Sequence, residues 1–313
     1  MSNNGLCLAI LGPTCSWKSE SALALAEYCQ AEIVSCDSMQ VYRGLDIGTA
    51  KPSALEMRSV PHHLISCLDI HEPFDANRFV KMATSCLQEI WSRGKKAILV
   101  GGSGLYARAL VYGFEMLPAN RELAQKLQRE LEEPDGQQKL LAFLEAKVDK
   151  ADIPVEIYRN PRRLLRACEV IQLTGKPPWL LAKKLERPKP AFSQFCLLPN
   201  LSLLKRRIRQ RTALMLSAGW VEEALQAAEA GLLESPTAGQ ALGYRDIIEF
   251  VASGSPGGQE ALLELLSNRT IQYARRQLTW FKHQHPGAKQ IVIEDENLAR
   301  QEIVEQIKRE LSC

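Results

Sequence analysis

Along the first hundred residues the apolar positions come in short unbroken runs, and further on they come at helical spacing instead. Leu6–Leu11 is such a run, ending at Gly12-Pro13, and predicts a buried parallel strand. Lys18–Gln30 has helical periodicity, and Ala31–Ser35 predicts a second strand followed by a polar, glycine-containing loop to Pro52. His63–Ile65 is a weaker strand, Ala76–Arg93 a helix, Ala97–Val100 a strand stopping at Gly101-Gly102, and Gly104–Tyr112 a helix. Repeated strand–helix units imply an α/β fold with a parallel sheet and helices on both faces. After Pro118 helices take over, at Glu122–Glu133, Gln137–Lys147, Pro161–Leu173 and Pro178–Leu185, and Arg187-Pro188-Lys189-Pro190 closes this stretch. Gln194–Leu198 returns as a strand, helices run to His283, Gln290–Ile293 is a late strand and Leu298–Leu311 a terminal helix. The expected organisation is an α/β core of residues 1–117 and 191–313, interrupted by a helical insertion at 118–190.

Composition changes this picture little. Hydrophobic residues make up 46% and charged residues 24%, as in ordinary globular proteins. The nine cysteines, at 7, 15, 29, 36, 67, 86, 168, 196 and 313, form no C-x-x-C pair, which argues for reduced thiols rather than a zinc site or disulfide framework. No apolar run approaches the roughly 20 residues needed to cross a bilayer, and Met1–Gly5 lacks the basic start of a signal peptide, so the cytoplasm is expected.

Charge is more informative. The net value is +3, yet residues 158–187 carry 8 basic side chains (Arg159, Arg162, Arg163, Arg166, Lys176, Lys183, Lys184, Arg187) against 2 acidic. Lys205–Arg211 adds 5 basic residues and no acid, whereas residues 1–117 balance 10 basic against 11 acidic. Two such blocks on a nearly neutral chain are either solvated helix faces or phosphate-binding patches.

Between the first strand and first helix stands Gly12-Pro13-Thr14-Cys15-Ser16-Trp17-Lys18-Ser19. The phosphate-loop pattern G-x-x-x-x-G-K-[ST] rings an anion with backbone N–H groups, reaches it with the lysine and holds Mg²⁺ with the hydroxyl. Trp17 occupies the second glycine position, where a residue bearing a Cβ costs about 1–3 kcal/mol if the backbone is left-handed. The second loop then delivers Asp37 to the carboxyl edge of the sheet, where ligands of open α/β folds gather.

That second loop, Ser35-Cys36-Asp37-Ser38-Met39-Gln40-Val41-Tyr42-Arg43-Gly44-Leu45-Asp46-Ile47-Gly48-Thr49-Ala50-Lys51-Pro52, resembles the signature S-x-D-S-x-Q-x-Y-x-G-x-D-I-G-T-A-K-P of the tRNA dimethylallyltransferases. Further blocks resemble that family in the same order: Val60-Pro61-His62-His63-Leu64-Ile65, Leu99–Tyr106, Arg163–Val170, Ala241–Arg245 and Gln272–Phe281. The resemblance covers nearly the whole chain. It implies a phosphate-loop NTPase-like core and transfer of a dimethylallyl group from dimethylallyl diphosphate to N6 of the adenosine 3′ of the anticodon in tRNA. Under it, Gly12, Pro13, Thr14, Cys15, Ser16, Trp17, Lys18 and Ser19 hold the diphosphate, with Lys18 central and Ser19 on Mg²⁺. Asp37 acts as general base and Ser103 assists at the channel mouth. The anticodon stem-loop falls to Asp37, Ser38, Met39, Gln40, Arg162, Arg163, Arg166, Gln240, Tyr244, Arg245, Gln272, Arg275 and Arg276. A monomer is expected, and Trp280 and Phe281 read as core packing.

Some positions depart from the family pattern. Trp17 replaces glycine, Ser103 replaces threonine, and Ala124, Leu201 and Ile271 stand where arginines are usual. Ile157-Tyr158-Arg159-Asn160-Pro161 replaces I-H-P-N-D. These changes leave room for two alternatives. One is a tRNA-binding paralogue with weak or lost transfer owing to Trp17; the other is a small-molecule kinase or prenyltransferase.

Overall fold

The computed structural model describes residues 7–113, 117–181 and 192–311. Six strands form one all-parallel sheet: β1 (Cys7–Leu11), β2 (Ala31–Ser35), β3 (His62–His63), β4 (Lys96–Gly101), β5 (Phe192–Pro199) and β6 (Lys289–Ile293). Their order is β3-β2-β4-β1-β5-β6. The chain leaves β1 for one side of the sheet and leaves β4 for the other, so the crevice between the ends of β1 and β4 is the switch point where such folds bind ligands. β1 and β2 are buried at every position, as parallel strands covered on both faces must be. β3 lies slightly before the expected His63–Ile65, because Leu64 takes a left-handed φ of 61° and leaves the ladder.

The chain divides into two compact units, Met1–Gly113 with Glu186–Cys313, and Phe114–Leu185. These limits differ by a few residues from the expected 118–190. Leu6, Lys183, Lys184, Arg187 and the prolines at 188 and 190 fall outside the described residues, as does Cys313.

The first unit carries α1 (Lys18–Cys29), α2 (Ala54–Ser59), α3 (Ala76–Ser92) and α4 (Gly104–Tyr112). The second carries α5 (Arg121–Glu132), α6 (Gly136–Glu145), α7 (Val155–Arg159), α8 (Pro161–Thr174) and α9 (Pro178–Leu181). After β5 the first unit resumes with α10 (Leu201–Ser217), α11 (Trp220–Glu229), α12 (Tyr244–Ala252), α13 (Gly258–Gln284) and α14 (Glu296–Leu311). Short α2 escaped the periodicity reading but has a full capping box, Ser53 and Glu56 each satisfying the other's backbone. Among the described residues no helix is long and apolar enough to cross a membrane.

One core joins Leu8 and Ile10 of β1, Leu25 of α1, Ile98 of β4, Phe195 of β5 and Ile303 of α14. In the second unit α8 is started by the Asn160 side chain and Pro161 and stopped at left-handed Gly175. Leu164, Cys168 and Ile171 on its inner face meet Leu127, Leu140 and Leu144 of α5 and α6. Its outer face is left to Arg162 and Arg163, both exposed.

Candidate active site

The loop after β1 closes tightly on the sheet. A Cβ on Gly12 would lie 2.7 Å from the Leu197 carbonyl of β5, so this position admits only glycine. Helix α1 then begins without any side-chain cap, and its N-cap, Trp17, is left-handed at φ 62°, ψ 9°. Among the described residues no side chain caps the first-turn N–H groups of α1, an arrangement that suits an anion. The Ser16 hydroxyl is buried with no partner among the described residues. Lys18 donates to the Pro13 carbonyl at 2.9 Å, folding its ammonium back over the loop. Burial, reinforced by the nearby Arg211 guanidinium and opposed by the Asp37 carboxylate, brings that ammonium down to about 8.

A pocket of about 270 Å³ opens on this loop between Ser16, Lys18, Ser19, Arg207 and Arg211. Ser19 is exposed and lines it. Trp17 forms one wall, with its indole packed into the core against β1, α1, β5 and α10 at 5% exposure. The left-handed backbone that a second glycine would supply is thus kept, and the strain of about 1–3 kcal/mol is offset by burial of the indole. Trp17 carries Arg207, whose guanidinium sits 3.9 Å from the ring centroid and is held by Glu20 at 3.1 Å and Glu296 at 3.3 Å.

Beside this loop lies the turn after β2. Asp37 Oδ1 accepts the N–H groups of Met39 (2.8 Å) and Gln40 (3.3 Å), and among the described residues Oδ2 accepts none. The Ser103 hydroxyl accepts Ser38 N–H at 3.0 Å, and Ser103 N–H reaches the Cys36 carbonyl at 3.2 Å. Gly101 makes this weld possible, since a Cβ there would fall 1.9 Å from that carbonyl. Gln277 of α13, buried, joins the two loops: it accepts Thr14 N–H at 2.9 Å and donates to the Gly102 carbonyl at 2.9 Å.

A cavity of about 320 Å³ opens beside Ser103. Ser38, Met39 and Gly102 line one side, and Gln240, Tyr273, Arg276 and Trp280 the other. Burial, followed by the charge of Asp37, pushes the Tyr273 hydroxyl up to about 12. It is therefore a neutral donor near a carboxylate.

Several expected roles change. Tyr244, expected at tRNA, is 1% exposed and its hydroxyl donates to Glu223 at 2.6 Å. It is a core residue, because Gly243 turns α12 inward beneath Trp220. Gln40 spends both amide hydrogens on the Thr49 and Ala50 carbonyls, at 3.1 and 3.0 Å, so its side chain braces the protein instead of offering donors to RNA. Arg166 is turned inward to the buried Glu169 at 2.6 Å and to the Leu117 carbonyl at 2.7 Å, and so ties the start of its own unit together. Trp280, expected in the core, is a half-buried cavity wall whose indole N–H has no partner among the described residues, while Phe281 is fully buried. Arg162, Arg163, Gln240, Arg245, Gln272, Arg275 and Arg276 are all exposed, Arg245 within 4.0 Å of Glu249.

Two arginines gain a sharper place. Arg207 and Arg211, noticed only as members of a basic block, are one helical turn apart on α10 and face the phosphate loop, with Arg211 hydrogen-bonded to the Thr14 hydroxyl. Their (i, i+4) spacing within that block was the available signal. Gln277 had only its place in the Gln272–Phe281 block, and Glu223 had none, because nothing local marks the partners of either.

The profile of the IPP transferase family matches residues 40–284. The tRNA dimethylallyltransferase of Thermus thermophilus is 40% identical over 283 residues, covering 89% of each chain. The crystal structure of the tRNA isopentenylpyrophosphate transferase of Bacillus halodurans superposes with a TM-score of 0.68 at 32% identity, covering 98% of this chain and 97% of that one. A eukaryotic dimethylallyltransferase crystallised acting on tRNA shares the fold, with a TM-score of 0.79 at 24% identity over 97% of this chain and 77% of its own. The chain therefore belongs to the IPP transferase family, a family of tRNA-modifying prenyltransferases.

Proposed function

We propose that the chain moves the dimethylallyl group of dimethylallyl diphosphate onto N6 of the adenosine 3′ of the anticodon, releasing diphosphate and N6-isopentenyladenosine in tRNA. The N6–carbon bond forms as the carbon–oxygen bond to diphosphate breaks, and the N6 proton passes to Asp37. The observation that carries this reading is the weld of the Asp37 turn to Ser103 beside the phosphate loop, with Lys18 within the field of Asp37. Lys18, the first-turn N–H groups of α1 and Arg211 face one pocket and suit a departing anion, whose charge grows in the transition state. Asp37 Oδ2, without an internal partner among the described residues, suits proton removal from a weakly basic amine.

The hydroxyl of exposed Ser19, together with substrate oxygens and water, would make the hard-oxygen set that Mg²⁺ takes; among the described residues no cluster of three or more His, Cys, Asp or Glu side chains offers a cage. When bound, the ion neutralises charge on the leaving diphosphate. The cavity walled by Met39, Tyr273 and Trp280 suits an extruded base, which needs aromatic faces and costs a few kcal/mol to unstack. Arg275, Arg276, Arg162 and Arg163 are exposed cations suited to the phosphates of the anticodon stem-loop. Since its substrate is tRNA, we place the protein in the cytoplasm, acting as a monomer.

The test is incubation with dimethylallyl diphosphate, Mg²⁺ and a tRNA bearing adenosine after the anticodon, followed by nucleoside analysis of the digested tRNA. N6-isopentenyladenosine is expected with the parent, and about 10²–10⁴-fold less per unit time with Asp37→Asn. Absence of the product with the folded parent defeats the reading.

A further inference from the structure

Glu223 of α11 grips the second loop from the side. Its Oε2 accepts the N–H groups of Asp46 and Ile47, each at 2.8 Å, and its Oε1 accepts Gly48 N–H at 2.9 Å and the Tyr244 hydroxyl at 2.6 Å. Consecutive N–H groups turned to one side make a nest for an anion, and here the anion is a side chain of the same chain. Gly48 is required for this approach, because a Cβ there would fall 2.1 Å from Trp220 Nε1 and 2.7 Å from the Tyr244 ring.

The grip continues towards the reacting centre. Immediately after the nest, the carbonyls of Thr49 and Ala50 take both amide hydrogens of Gln40. The other end of that amide, Oε1, accepts the Ser35 hydroxyl at 2.9 Å, and Gln40 N–H is one of the two donors that orient Asp37 Oδ1. The path from Glu223 to Asp37 runs through hydrogen bonds of 2.8 to 3.3 Å, joined by the backbone between Gly48 and Ala50 and by Gln40 itself.

We propose that Glu223 is a positioning residue for the transfer reaction: its carboxylate, braced by Tyr244, fixes the 46–48 turn and through Gln40 sets the direction of the Asp37 carboxylate. This rests on Asp37 being the base. A charged acceptor suits the task because bonds to a carboxylate are about twice as strong as neutral ones. An amide in its place would point hydrogens at groups that are themselves donors. The acid is thus needed for its charge and its two oxygens, not for any proton of its own.

The experiment compares the parent with Glu223→Gln and Tyr244→Phe in single turnover, enzyme in excess over tRNA and dimethylallyl diphosphate saturating. The first-order rate constant is expected to fall about tenfold or more in Glu223→Gln and about threefold in Tyr244→Phe, because small misplacement of a catalytic group is costly. Inorganic diphosphate, titrated into each variant, should bind with an affinity within about twofold of the parent, since the phosphate loop is not in the chain of bonds. A residue that serves stability alone lowers the reaction amplitude and the diphosphate stoichiometry but leaves the rate constant unmoved, and that result overturns the proposal. Should Glu223→Gln not fold, Tyr244→Phe decides by the same rate constant. Amide exchange at Met39 and Gln40 should also quicken about tenfold or more in Glu223→Gln. Unchanged exchange there overturns the brace, whereas quickened exchange in a protein whose parent makes no prenyl-adenosine defeats only the functional reading.

Discussion

Arg207 stacks on Trp17 with its guanidinium 3.9 Å from the ring centroid, and two carboxylates, Glu20 and Glu296, hold it there. The residue that breaks the phosphate-loop pattern thus became the floor under a cation that faces the same loop.

Replacing that floor should cost stability more than it relieves strain. Trp17→Gly removes a buried indole, worth about 3–5 kcal/mol, and releases left-handed strain of about 1–3 kcal/mol. A net loss centred on about 2 kcal/mol is expected in urea unfolding of the variant. Because the backbone is already left-handed, diphosphate affinity should rise by no more than about threefold. A gain of several orders of magnitude would show instead that the indole obstructs the anion.

Gln277 is the bolt between the two loops, and Gln277→Leu fills its volume without its bonds. Thr14 N–H and the Gly102 carbonyl would be left unpaired, at a cost of about 1–3 kcal/mol each. Urea unfolding should register the sum, about 2–6 kcal/mol. Crystallographic comparison of the variant should show the Gly12–Trp17 loop shifted.

Lys18 makes diphosphate binding sensitive to alkali. Its pKa is brought down to about 8 in the free protein, and an anion binds the ammonium form. Affinity for inorganic diphosphate should be level from about pH 7 to about pH 8 and fall towards tenfold per unit above that, until the lysine of the complex also titrates. The effect on stability has the opposite sense. Between about 8 and 10.5 the unfolded chain binds a proton that the folded one has lost, so folding stability gains as pH rises through that window. Titration calorimetry of the parent and Lys18→Met checks the first effect, since the variant should lose the alkaline fall.

His285 predicts sensitivity to acid. Burial, with a smaller contribution from the Arg108 charge, brings its ring down to about 4 from 6.5, and Nδ1 faces Gln194 Oε1 at 3.3 Å. As pH drops from 6.5 towards 4 the unfolded chain takes a proton that the folded chain refuses, so stability falls across that window. At pH 5 the loss from this group is about 2 kcal/mol. His62, shifted down by burial, contributes with the same sign as pH falls below 6.5, and Glu32, whose burial is outweighed by hydrogen bonds from His63 and Arg93, does so only below about 4.5. The difference in unfolding free energy between about pH 7.5 and about pH 5 should therefore be smaller for His285→Asn than for the parent, by about 2 kcal/mol.

Much of the molecule was legible in the sequence, for reasons that are local. β1 is an unbroken apolar run and β2 centres on the β-branched pair Ile33-Val34, and α8 carries its own start and stop signals in Asn160, Pro161 and Gly175. The phosphate loop, the Asp37 turn and the glycine-serine loop sit at strand ends, where chain order alone brings chemistry to one edge of a parallel sheet. Their residue types and spacing point to an anion held at that edge; the transferred diphosphate ester is what the resemblance to the tRNA dimethylallyltransferases implies.

What the sequence could not hold was the direction of each side chain. Gln40, Tyr244 and Arg166 sit in the same kind of block as the exposed Arg162 and Gln272, yet the first three are turned to Thr49 and Ala50, Glu223, and Glu169. Gln277 finds Thr14 and Gly102, and Glu223 finds the 46–48 turn, 175 or more positions away, so no local spacing announces these pairs. Periodicity and turn chemistry act over a few residues and set which elements form. Whether a polar side chain meets solvent or a buried carbonyl depends on which distant elements close over it, and only the packed chain decides that.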